Sequence, residues 1–127
     1  MRYQLADIYI QENLAWDDLI SRHRSEIPQL KLMLGDVLRR RRVIGDDTRA
    51  GVDHLCTEMS HHEASMALIR ERLALQQAYL KRRSGHDLSY DNDSLTRQNT
   101  LREQVRDARR VFIDLKCEML NYLSIIA

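Results

Sequence analysis

Residues 52–80 read VDHLCTEMSHHEASMALIRERLALQQAYL, and their spacing decides the fold. Val52, Leu55, Met59, His62, Met66, Ile69, Leu73, Gln76 and Leu80 recur at alternating steps of three and four residues. On a helix that rhythm puts every one of these side chains along one seam, as coiled-coil packing requires. A strand would need alternation by two, and none is visible here. At 1.5 Å per residue the helix expected over 48–83 is a rod roughly 50 Å long.

The same rhythm appears on either side. Trp16, Ile20, His23, Ile27, Leu30, Leu34, Val37 and Ile44 form a first stripe, with Arg41 filling its missing step. Leu101, Val105, Ala108, Phe112, Leu115, Met119, Tyr122 and Ile126 form a third without a gap. Between stripes lie Gly45-Asp46-Asp47 and the segment SGHDLSYDNDS at 84–94, both rich in turn residues. Gly45 is expected to end a helix and the aspartates to cap the next. Asp93 or Ser94 is expected to cap the last helix.

The expected fold is all-α: an elongated up-down-up three-helix bundle with coiled-coil packing, because short connections make successive helices antiparallel neighbours. The 127 residues form one domain, with a lead-in at 1–14, helices at 15–44, 48–83 and 95–126, and a loop at 84–94. Leu5, Ile8 and Tyr9 have helical spacing, so the lead-in is expected to hold a short helix and to cover Leu68 and Leu75. Pro28 falls inside the first stripe. Proline removes a helical hydrogen bond, so the first helix is expected to be kinked or broken there, with Ser25 as a possible cap.

Composition bounds the function. One proline, four glycines and 31% charged residues favour long helices, and a hydrophobic fraction of 43% is enough for a core. The formal net charge of +1 is unlike the basic excess of most nucleic-acid binders. No stretch approaches the roughly 20 apolar residues of a bilayer span. The start carries no signal-peptide pattern, and Cys56 and Cys117 stand far apart, outside any C-x-x-C motif. A cytoplasmic setting with no membrane partner is the expectation.

The chain resembles small three-helix coiled-coil proteins of Bacteroidetes, which pair a Trp-led first helix with a last helix ending in an aromatic-Leu-Ser step. Here Trp16 and Tyr122-Leu123-Ser124 match those features. The resemblance implies the three-helix fold and no activity.

Three clusters carry candidate function. His54, Glu58, His61 and His62 sit at i, i+4, i+7 and i+8, spacings that bring ligands for a transition metal such as zinc or iron onto one flank of the second helix. Glu58-x-x-His61 matches half of a di-iron bundle motif, but no second copy exists in the chain, and ordinary surface and seam histidines are the competing reading. His62 and His23 also fall in seams, where protonation is costly, so the bundle is expected to weaken below about pH 6.

Arg39, Arg40, Arg41 and Arg42 form a basic patch, and Lys81–Arg83 form another. Phosphate binding is one use of such runs. Both end helices, however, where cations offset the helix dipole, and they fall at opposite ends of the expected bundle, so nucleic acid is not the expected partner.

Ile113, Cys117, Leu120 and Leu123 give the third helix more apolar surface than one seam needs. A contiguous exposed patch of that kind marks an association surface. The expected function is a non-catalytic interaction module, an adaptor or small helical chaperone, working as a homodimer or docking another helical protein. The alternatives are a metal-binding bundle and a nucleic-acid accessory protein. The chain contains no phosphate-cradling glycine motif and no nucleophile elbow, so neither catalysis nor a cofactor is expected.

Overall fold

The computed structural model describes residues 5–40, 44–83 and 91–126. Every regular element among them is helical: α1 spans Leu5–Arg40, α2 Asp46–Arg82 and α3 Asn92–Ile126, and each helix packs against both others. None of the three is long and apolar enough to cross a membrane.

Pairings between helices give their directions. Asp17 holds Arg70 at 2.9 Å and the Ile10 carbonyl accepts from Gln77 at 3.2 Å, so α1 and α2 run antiparallel. His62 meets Ala108 and Gln76 meets Ser94, so α2 and α3 do too. Glu12 pairs with Arg102 and Glu26 with Lys116, both ninety residues apart, so α1 and α3 run parallel. The topology is up-down-up.

The buried residues of α2 are Val52, Leu55, Met59, His62, Met66, Ile69, Leu73, Gln76 and Leu80, the stripe that its sequence spells out. All of these except His62, Gln76 and Leu80 pack with Ile20, Ile27, Leu34, Phe112, Leu115 and Met119 in one core, with Trp16, Val37 and Tyr122 against it. A smaller cluster of Ala6 and Leu80 closes the other end, with Tyr9 and Tyr79 beside it.

The element boundaries differ from the sequence reading in instructive ways. Residues 5–14 are not a separate lead-in; they are the first turns of α1, because Ala6, Tyr9 and Asn13 continue the same three-four rhythm into Trp16. They therefore cannot fold back over Leu68 and Leu75, which remain exposed. α1 runs through Pro28 as one continuous helix, without the expected break. Pro28 is exposed, on the outside of a helix held by Ile27 and Leu30.

The caps also differ. Gly45 is the N-cap of α2 and makes no side-chain cap bond, so Asp46 and Asp47 act from the first turn through the helix dipole. Asp91 caps α3: its Oδ1 accepts the Ser94 N–H at 3.0 Å, and its other oxygen receives the Tyr79 hydroxyl. The Tyr79 bond, more than the Ser94 one, lowers the Asp91 pKa below the usual carboxylate range.

Two glycines make opposite demands. A Cβ at Gly51 would run into the Tyr122 hydroxyl oxygen and meet its ring carbon at 2.9 Å, so α2 leaves room there for that ring. A Cβ at Gly35 would meet only an Arg39 nitrogen at 3.8 Å. Gly35→Ala is therefore expected to stabilise the bundle by about 1 kcal/mol through helix propensity. Gly51→Ala gains the same propensity but must expel Tyr122, and the expected net effect is a lower melting temperature. Equal stabilisation by both substitutions would contradict the close contact.

Candidate functional site

α3 carries its surplus apolar surface because of helical arithmetic. Ile113 and Leu120 each follow a seam residue, Phe112 and Met119, by one position. One residue turns the helix by about 100°, which carries them out of the seam. Ile113 is 46% exposed and Leu120 48%, and Cys117 between them is exposed as well. Leu123 is half-buried and packs against the core from the edge of this flank. Ile125 lies further round the helix and is exposed.

The flank faces the side where α3 meets α1. Arg102 and Lys116 reach α1 from the same side of α3, at Glu12 and Glu26. Seven residues beyond Glu26 stands Met33, 51% exposed. The ninety-residue offset of those two ion pairs places Met33 level with Leu123. Met33 thus stands level with Leu123 on the side where α1 meets α3, and Ile113 and Leu120 lie on the same side of α3, near the Glu26–Lys116 ion pair. Met33 was missed from sequence, since no stripe contains it; its heptad relation to Glu26 was the available signal.

The second-helix cluster does not come together as a metal site. Among the described residues, no three His, Cys, Asp or Glu side chains are placed to hold an ion. His62 points inward, 8% exposed, and its Nε2–H donates to the Ala108 carbonyl at 3.0 Å. His54 and Glu58 pair with each other on the surface at 2.8 Å, and His61 is exposed. The reason is angular: His62 lies about 100° from His61 around the helix, far enough to put one in the seam and the other outside.

His62 is buried and His23 half-buried, both against core residues of α3. The His23 ring stacks on Phe112, with centroids 4.0 Å apart and planes 11° apart, and its Nδ1 is buried without a partner. Burial lowers the pKa of both histidines below the ordinary range. For His23, Glu26 opposes the shift, while Arg22, Arg109 and His62 reinforce it. For His62, the bond to the Ala108 carbonyl opposes it.

The basic patch is partly neutralised. Arg39 and Arg40 are exposed and reach the Asp36 carboxylate at 3.6 and 3.0 Å. Arg41 and Arg42 lie outside the described residues. Cys56 is half-buried at the core edge, and burial raises its thiol pKa.

Sequence reasoning also missed a polar layer. Asn13, Gln76, Ser94 and Gln98 are all buried, and they link the three helices. Gln98 Nε2 donates to Asn13 Oδ1 at 2.9 Å and to Glu12 at 3.3 Å. Gln98 Oε1 accepts from Gln76 Nε2 at 3.3 Å, and Gln76 Oε1 accepts from Arg97 at 3.0 Å. Arg97 in turn lies over the Tyr79 ring at 4.7 Å.

Set against known families, curated proteins and solved structures, the chain matches no family model, no curated protein and no solved structure.

Proposed function

We propose that this protein is a non-catalytic interaction module that associates through the apolar side of α3 next to α1. The observation that carries this reading is the surplus of exposed apolar residues there: Ile113 and Leu120 about half exposed, with Met33 half exposed at the level of Leu123. Water is a poor environment for such a surface, and burying it against another helix is favourable by about 25 cal/mol per Å². The occupant is a second copy of the chain, giving a homodimer, in the cytoplasm. Within each protomer the helices meet by coiled-coil packing, which the alternating buried positions of α2 support.

Ile113→Asp combined with Leu120→Asp tests the surface. Both positions are exposed, so helix content is expected to stay near wild type. Sedimentation is expected to show the mass falling from dimer to monomer. An unchanged mass would count against this surface as the interface.

A further inference from the structure

A groove of about 540 Å³ runs between α2 and α3, lined by Arg72, Leu75, Tyr79, Arg97, Thr100 and Leu101 among others. That is the size of a small-molecule site. One flank of each helix supplies the walls. Arg72, Leu75 and Tyr79 follow one another at three and four residues on α2, and Thr100 and Leu101 stand one turn beyond Arg97 on α3. Leu101, 4% exposed, belongs to the floor, and Leu75, 73% exposed, to the rim. No other large apolar side chain among the described residues is as exposed as Leu75.

Arg97 is the polar group that the fold has fixed in place. Its Nε–H donates to Gln76 Oε1 at 3.0 Å, and Gln76 belongs to the buried polar layer. Its guanidinium lies over the Tyr79 ring at 4.7 Å, and the Tyr79 hydroxyl is itself tied to Asp91. Both of these partners are neutral, and Arg97 makes no ion pair among the described residues. Arg97 is exposed, which leaves the outer end of its fork open to a ligand. A guanidinium held on an aromatic ring with its fork free is suited to bidentate pairing with a carboxylate. Arg72 adds a second positive charge, and no Asp or Glu among the described residues lines the groove.

Charge and length narrow the ligand. Asp91 lies nearby: the Tyr79 hydroxyl lowers its pKa most, and the Arg97 charge adds to the shift. The negative charge of Asp91 disfavours a doubly charged phosphate beside Arg97, so a single carboxylate suits the position. From Tyr79, under Arg97, the groove runs back past Leu75 to Arg72, seven positions away on α2. That is about 10 Å along the axis, the length of an extended chain of about eight carbons.

We infer that the α2–α3 groove binds a medium-chain monocarboxylate, its carboxylate on the Arg97 fork and its alkyl chain against Leu75 and Leu101. This site lies where α3 meets α2, apart from the association surface beside α1, and stands whether or not the chain dimerises.

The test is an NMR titration of the full chain with sodium octanoate, kept below its micelle concentration. The expected result is saturable shifts at Leu75, Arg97 and Thr100, with a dissociation constant on the order of 1 mM. Octanamide, which has the chain without the charge, and the variants Arg97→Gln and Leu75→Ala are each expected to weaken binding by about tenfold. Arg106→Gln removes an exposed cation of α3 outside the groove and is expected to leave the affinity unchanged. Circular dichroism checks that the helices persist. If Arg97→Gln disturbs the polar layer, Arg97→Lys keeps the charge, loses the fork and is still expected to weaken binding. Absence of saturable shifts, or shifts centred on Ile113 and Leu120 instead, would overturn the inference. Equal binding of octanamide, undiminished affinity in both Arg97 variants, or an equal loss in Arg106→Gln would also overturn it.

Discussion

Replacing Gln98 with leucine is expected to destabilise the bundle although it makes the core more apolar. The side chains are similar in size, and burying leucine contributes about 1–2 kcal/mol. Against this, Asn13 Oδ1 loses its donor, and Gln76 Nε2 loses one of its acceptors but keeps Ser94. Asn13 is buried, and orphaning its oxygen costs about 1–3 kcal/mol. With the bond to Glu12 also lost, the costs win, and the expected net loss is about 1 kcal/mol in urea denaturation.

The converse experiment separates the layer's two roles. Asn13→Leu, Gln76→Leu and Gln98→Leu together leave none of these amides behind, so stability is expected to return to near wild type or above. What the triple variant loses is a device that aligns three helices. The layer joins Glu12 and Asn13 on α1, Gln76 on α2 and Gln98 on α3, and apolar seams alone allow slippage by a heptad. A Gln98→Leu protein as stable as wild type would show that the layer is not coupled as its geometry indicates.

Acidification is expected to have the second large effect. His23 and His62 have folded-state pKa values below the ordinary value of 6.5, chiefly through burial. The unfolded chain therefore binds protons that the folded chain refuses. Their contribution to stability is fully present above about pH 6.5 and is lost as pH falls through the lowered folded values. Protonation would also place a charge on a ring stacked against Phe112 at 4.0 Å. The melting temperature is expected to be level above neutrality and to fall between about pH 6.5 and 5, before most carboxylates titrate.

Substitution identifies the source. His62→Gln keeps a donor for the Ala108 carbonyl without a titrating ring, and His23→Phe preserves stacking on Phe112. The double variant is expected to flatten the profile through that window. A wild-type profile already flat there, or one unchanged in the double variant, would place the acid sensitivity elsewhere.

These two devices also show where the sequence was legible. The α2 stripe named its buried positions correctly, including the polar His62 and Gln76, because unbroken apolar neighbours kept the phase. The first and third stripes stopped at Trp16 and Leu101, where the next heptad positions turn polar. Asn13, Ser94 and Gln98 hold those positions and are buried. A polar residue can occupy a seam when partners on other helices satisfy it, and such partners are invisible along one chain. The same limit applies to the site. Spacing on one helix suggested a histidine cluster, but angular position divided it. Ile113 and Leu120 were legible because an excess over one seam is a property of a single helix, whereas Met33 belongs to the patch only through the register of α1 against α3.

Native mass spectrometry of the untagged full chain tests the central claim most directly, since it reads subunit number and bound metal in one spectrum. The expected result is a metal-free dimer that becomes monomeric when Ile113 and Leu120 are both changed to aspartate. A wild-type chain that flies only as a monomer would contradict association through the apolar side of α3, and a whole-number metal adduct would return the second-helix histidines to the centre of the account.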